Sequence, residues 1–308
     1  MSKKHKKRLS SGWIIFLIIM GLIDLALLIA LLLRGNNVAL INVKGMIAQE
    51  QLNLMIYSAG ILLAIGIPSV FLLYFTAWKY RESNVKSKYD PDMRHGKWFN
   101  IFVWGVPTVF MLILAAAMWP ATQRLAPQKS IAADVKPLTV QVVALRWKWL
   151  FIYPEQNIAT VNYLQIPVAT PVVFELTADE APMSSFWIPN LGGQLYAMTG
   201  HINRLNLLAE ESGDYPGRSA EINGKGFAGM KFKARVTSRQ SFDQWAKDTR
   251  QYAAPLDAVE YQKLIGPSEN NAVVFYAPVQ SDLYDKLLMK YMGPQKSMTE
   301  NHGGGGEQ

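Results

Sequence analysis

The chain has 308 residues, half of them hydrophobic and only 18% charged, with no cysteine and a formal net charge of +8. The missing cysteines exclude disulfides, thiolate catalysis, iron–sulfur ligation and every cysteine-based zinc or copper site. The charge is not a nucleic-acid footprint: residues 101–308 carry equal numbers of basic and acidic side chains, and the excess lies in the first hundred residues, around apolar segments.

Three stretches are long enough to cross a bilayer. The first, WIIFLIIMGLIDLALLIALLL, spans Trp13–Leu33 behind the basic run KKHKKR and is interrupted only by Asp24. A basic start and an apolar core describe a signal segment as well as a retained anchor; the long apolar run and the lack of a small-x-small cleavage site after Leu33 favour the anchor. The second stretch runs from Leu54 to about Ala77 and holds Pro68; the third, Trp98 to Trp119, holds Pro107. The loop between them, Lys79 to Lys97, carries six Lys or Arg. Basic residues stay in the cytoplasm, so this loop and the N-terminus are expected there. Everything after Pro120 is then expected on the periplasmic side of a bacterial inner membrane.

Beyond Pro120 the texture becomes β-branched and aromatic. LTVQVVALRWKWLFIY, Leu138 to Tyr153, reads as one long strand on which Trp147 and Trp149 share a face. Packing of an amphipathic strand accounts for that spacing, and so does a contact surface toward another protein. TPVVFELTA, HINRLNLLAE and KFKARV read as further strands, together predicting a Greek-key sandwich or barrel of about a hundred residues. SFDQWAKD, LDAVEYQKLI and LYDKLLMKYM then read as helices, and NHGGGGEQ as a low-complexity tail. The expected organisation is a basic N-terminus with an anchor or signal segment (1–35), a transmembrane hairpin (36–120, helices about 54–77 and 98–119), a β-domain (121–236), a helical aromatic extension (237–298) and a disordered tail (299–308).

This order of parts resembles subunit II of the haem–copper respiratory oxidases, from about Lys44 to Met298. Trp104 and Pro107 match the family's tryptophan-x-x-proline, RWKW its aromatic segment, SSFWIP its first metal loop and YPGRSAEINGKGFAGM its second. In members that accept electrons from cytochrome c, those loops hold a dinuclear copper centre. Its ligand positions fall here at Ser184, Ser219, Glu221, Asn223, Phe227 and Met230, of which only Glu221 and Met230 keep the family's residue. Two copper ions sharing electron density need bridging thiolates, which serine and asparagine cannot replace. The chain therefore looks like the quinol-oxidising branch, the bo-type ubiquinol oxidases. RWKWLFIYPEQNIATVN, LYAMTG, GFAGMKFKA and a tyrosine-rich extension (Tyr252, Tyr261, Tyr276, Tyr284, Tyr291) are similar to that branch.

The resemblance implies a membrane α-helical hairpin, an all-β cupredoxin-like Greek-key sandwich and a short helical C-terminal extension. It implies a non-metal-binding subunit II of a proton-translocating quinol:oxygen oxidoreductase, with no catalytic residue or cofactor of its own. Haems and one copper are then expected in the catalytic subunit I, and ubiquinol as substrate of the complex. The implied partners are subunit I, smaller membrane subunits and the bilayer, with neither nucleic acid nor cytochrome c among them. Trp104, Trp147 and Trp149 are the candidates for subunit contact. A glutamate that marks the mouth of a proton path in the family falls at Asn100, which cannot exchange protons at neutral pH. His95 titrates nearer pH 7 and is the candidate substitute, although loop histidines are more often simply solvated. A second class of function, a stand-alone membrane-anchored binding or assembly protein, is separated from the first by co-purification.

Overall fold

The computed structural model describes residues 24–25, 27–32, 38–82, 84–85 and 96–291. The described chain forms two units: one takes in Glu50–Ala126, the other Val43–Gln49 and the chain from Pro127 on. Most of the first apolar segment, most of the basic loop, His95 included, and the tail lie outside the described residues.

Two long helices dominate the first unit, α1 (Met46–Lys79) and α2 (Lys97–Arg124). Both begin or end beyond the apolar runs read from the sequence, because the polar flanks continue the helix. Both are long and apolar enough to span a bilayer, and neither buries its most apolar stretch within this chain. Pro68 and Pro107 lie inside them. The neighbouring Ser69 and Thr108 hydroxyls donate to the carbonyls of Ile65 (2.8 Å) and Trp104 (2.7 Å), so these polar groups are satisfied inside the helix, as lipid requires.

The second unit is built on two sheets. The larger has the order β11-β12-β3-β2-β1-β5-β8, the smaller β4-β10-β9-β6-β7. Here β1 is Leu138–Leu145, β2 Lys148–Tyr153, β3 Ile158–Val161, β4 Tyr163–Pro167, β5 Pro171–Ala178 and β6 Ser184–Trp187. The rest are β7 Gln194–Ala197, β8 Asn203–Leu208, β9 Gly213–Ser219, β10 Lys231–Thr237, β11 Ala254–Leu256 and β12 Val274–Val279. The core between the sheets is aromatic. Trp149, Phe151, Phe174 and Phe186 are fully buried, Phe232 nearly so, and the Phe186 and Phe232 rings stack at 5.2 Å.

The RWKW segment is not one strand. β1 and β2 are an antiparallel hairpin closed between Leu145 and Lys148, with Trp147 in the turn at φ 63°. The strand alternation that would set Trp147 and Trp149 on one face is therefore broken. Trp149 points into the core, and Trp147 is half-buried beside it. The run looked continuous because β1 and β2 are buried on both faces, which removes the polar alternation that marks a strand end.

The C-terminal extension accounts for the second buried face. Three helices, α3 (Arg239–Tyr252), α4 (Ala258–Ile265) and α5 (Leu283–Tyr291), match the helical expectation. Ser238 caps α3 and Asp257 caps α4, each side chain accepting a backbone N–H three residues on. The extension also contains β11 and β12, and β12 pairs antiparallel with β3, adding two strands to the sheet. Leu256, Tyr261, Ile265, Tyr276, Leu283, Tyr284, Leu287 and Leu288 bury against Val143, Leu145, Leu150, Ile152, Ala159 and Val161. At about 1.5–3 kcal/mol for each large apolar side chain removed from water, this second cluster is a major part of the domain's stability.

Candidate functional site

Ser184 opens β6 and Ser219 closes β9; Glu221, Asn223 and the 3₁₀ turn Phe227–Gly229 follow in one loop, and Met230 leads into β10. The fold thus brings Ser184, Ser219, Asn223 and Met230 together at one end of the sandwich, all buried. Glu221 and Phe227 lie on the rim, half-buried.

What holds these residues together is a hydrogen-bond network. The Asn223 amide NH₂ donates to Ser184 Oγ at 2.7 Å and to Met230 Sδ at 3.1 Å. Ser184 Oγ donates to the Pro182 carbonyl (3.0 Å), and Ser219 Oγ to the Glu221 carbonyl (3.1 Å). The Asn223 side chain lies between the two would-be ligand loops and bonds to both. Hydroxyls, an amide and one thioether lack the thiolate and imidazole donors that a copper pair needs, so this set does not fit the metal. Among the described residues, no group of three or more His, Cys, Asp or Glu could hold a metal ion.

The turn at Trp147 is locked to the same loop. A tryptophan in the left-handed region is strained and persists only where its surroundings fix it. Here the indole N–H donates to the Asn223 carbonyl at 3.3 Å, and the ring lies over Gly224 and Gly226. A Cβ at Gly226 would come within 2.4 Å of the ring, so the loop can lie this close only without a side chain there. Trp147 is held by this contact, whereas Trp149, with no exposed surface, offers none to a partner. Trp104 lies on α2, widely exposed. Asn100 lies near the start of the same helix, also exposed.

The sequence reading missed the residues that fasten the extension to this end. Lys148, between the two tryptophans, is 3% exposed and donates to the carbonyls of Leu264 (2.8 Å) and Gly266 (2.9 Å), the C-terminal end of α4. Burial lowers its pKa. Asp179, fully buried just ahead of the first loop, accepts from the Tyr261 hydroxyl (2.8 Å), the Tyr291 hydroxyl (2.6 Å) and Lys290 (3.0 Å). Burial, then the Asp179 charge, pushes the Tyr261 phenol far up. For Lys290, burial works against the charge, but the hydrogen bonds to Glu180 and Asp179 prevail and raise it. Arg146 adds a bond to the Glu180 carbonyl (2.7 Å), and Asn270 lies against Gly229. The only sequence signal for Lys148 was a lysine at an inward position of an otherwise apolar strand.

Comparison with known proteins agrees with this arrangement. Residues 154–236 match the family described as cytochrome c oxidase subunit II, periplasmic domain, and residues 250–295 match the COX aromatic rich motif. The chain is 44% identical over 263 residues to the cytochrome bo(3) ubiquinol oxidase subunit 2 of Pseudomonas putida, covering 85% of this chain and 83% of that one. It is 42% identical to the protein of the same name from Pseudomonas aeruginosa, covering 87% and 80%. It is 41% identical to the ubiquinol oxidase subunit 2 of Acetobacter aceti, covering 85% of each. With two helices long and apolar enough to cross a bilayer, a cupredoxin-like sandwich and the aromatic extension in this order, the chain belongs to the family of ubiquinol oxidase subunits II, part of the haem–copper oxidases.

Proposed function

We propose that the chain is the non-metal-binding subunit II of a proton-translocating quinol:oxygen oxidoreductase, and that it supports assembly and stability of the catalytic subunit I. The observation that carries this reading is the Asn223 side chain bridging Ser184 and Met230: the loops that would carry an electron relay are joined by an amide instead. Electrons then come from ubiquinol within the membrane to haems and a single copper in subunit I. The bare faces of α1 and α2, including Trp104, fit helix contacts with that subunit and with smaller membrane subunits. The positive-inside pattern supports a cytoplasmic N-terminus and a periplasmic sandwich. Asn100 supports a proton path that does not begin at this position of this chain.

The test is purification in mild detergent from native membranes, followed by visible spectra, metal analysis and oxygen uptake. Expected are a haem-bearing complex that oxidises ubiquinol and ignores reduced cytochrome c, and a fall in haem-bearing subunit I when this chain is deleted. Normal levels of active subunit I without the chain, or a colourless chain purified alone, overturn the reading.

A further inference from the structure

Asn223–Gly224 is the chain's one Asn–Gly pair. In such a pair no side chain shields the glycine nitrogen from the asparagine carboxamide, and the permissive backbone lets the two meet. The fold holds both residues in place. Gly224 sits at φ 114°, where a side chain would be strained, and a Cβ there would touch the Trp147 ring at 3.4 Å. Asn223 supplies the NH₂ that joins Ser184 to Met230. The loop cannot give up either residue without losing its own geometry.

The pair straddles the surface. Asn223 is buried and Gly224 exposed, and the Gly224 N–H meets no acceptor among the described residues. The nitrogen is thus open to water and base, while the carboxamide it would attack is held still by two hydrogen bonds. The Trp147 indole fixes the main chain at the same point, through the Asn223 carbonyl. Attack would turn Oδ1 into an oxyanion, and among the described residues Oδ1 is buried without a donor, so the closed loop gives that step no stabilisation. We propose that Asn223 is a modification site that deamidates when this loop opens, and that the closed network is what keeps it intact. In the step, Gly224 N bonds to Asn223 Cγ, the Cγ–Nδ2 bond breaks, and the proton from Gly224 N leaves with Nδ2 as ammonia. Water then opens the succinimide at either carbonyl, giving aspartate or isoaspartate. Both products lack the NH₂ that bridged Ser184 and Met230 and carry a carboxylate in its place, so the loop does not close again as before. One opening is recorded permanently.

The test follows the full-length chain in mildly alkaline buffer, with and without guanidinium chloride. Trypsin cuts after Arg218 and Lys225, so the peptide Ser219–Lys225 reports the site by its mass, and chromatography separates its two products. Deamidation is expected to be at least about tenfold slower in the folded chain than in the unfolded one, because the rate is scaled by the fraction of loop that is open. Ser184→Ala frees one amide hydrogen, and Trp147→Phe removes the indole N–H while keeping a ring beside Gly226. Each is expected to raise the folded-state rate several-fold while the chain still melts cooperatively. The native chain in guanidinium below its unfolding midpoint gives the same reading without a substitution: the rate is expected to rise before the global signal changes. Equal rates in the folded and unfolded chain, unchanged rates in both variants, a rate that moves only with global unfolding, or aspartate without isoaspartate, each overturn the proposal.

Discussion

Asn223 lies between the two loops that the family resemblance aligns with copper ligands, and its two ends fare differently: among the described residues, the NH₂ makes both of its bonds, while Oδ1 is buried without a partner. That asymmetry sets the outcome of substitution. Asn223→Ala loses the bonds and leaves a void, and is expected to cost about 1–3 kcal/mol. Asn223→Leu loses the same bonds but also removes the unpaired oxygen and fills the space, and is expected to stay within about 1 kcal/mol of the native chain. Chemical denaturation of the two variants checks the order. Gly45 is constrained from outside. The chain ahead of α1 is bound to the sandwich by Lys44 N–H to the Asn190 carbonyl (2.7 Å), Glu210 N–H to the Lys44 carbonyl (2.9 Å) and a Lys44–Glu211 ion pair (2.6 Å). A Cβ on Gly45 would meet backbone atoms, the carbonyl oxygens of Leu208 at 2.8 Å and Leu191 at 3.0 Å, which cannot rotate away. Gly45→Ala is therefore expected to destabilise by about 1–3 kcal/mol, read as a lower Tm and faster exchange of the Glu210 amide. At Asp214, hydrogen bonds from Arg235 and then Lys233 hold the carboxyl well below its ordinary 3.8. A depressed folded value means stability that is present above about pH 4 and lost on acidification; since the group is partly exposed, the loss is expected to be under about 1 kcal/mol and absent in Asp214→Asn.

At the scale of elements, the extension is part of the sandwich. Tyr261, Tyr276, Tyr284 and Tyr291 all have pKa values raised above the ordinary 10.0, chiefly by burial. The unfolded chain gives up these protons first, so stability is full below pH 10 and falls as pH rises past it. Lys148, lowered by burial, works in the opposite sense, while Lys290, raised by its hydrogen bonds to Glu180 and Asp179, adds to the tyrosines. The expected outcome is alkaline loss of the domain that is shallower in Tyr261→Phe, followed by near-ultraviolet circular dichroism against pH. Lys148→Met keeps the buried stem but strips the donor from two carbonyls at the end of α4. It is expected to speed amide exchange in 258–271 and, through Gly229 and Trp147, in the 223–230 loop. Much of this was legible in the chain. KFKARV shows strict alternation because only one face of β10 is buried, and α3 to α5 carry helical periodicity, with N-caps at Ser238 and Asp257 ahead of the first two. What escaped was the Trp147 turn, whose residue type argues against a left-handed turn, the short strands β3, β4, β6, β7 and β9, and the two late strands. VFYAPV is short, contains a proline and draws its strand character from pairing with β3, more than a hundred residues earlier. The metal-loop positions could be aligned from the sequence, but that Asn223 would link the two loops was visible only in three dimensions.

For the molecule as a whole, the donor set predicts that excess copper added to the purified chain gives no intense charge-transfer absorption and no stoichiometric binding on dialysis. A strong visible band would mean that the loops can reorganise around the metal. The pairing of β12 with β3 has a further consequence, in the order of synthesis. A sheet that takes in Val279 cannot close until the chain through Val279 has left the ribosome and, on the periplasmic reading, crossed the membrane. Until then the outer faces of β1 to β3 stay bare and β3 is an open edge, the kind of surface that recruits chaperones or aggregates. The codons for β12 thus set when the domain becomes safe, and a stop just before Val274 is expected to leave an insoluble chain.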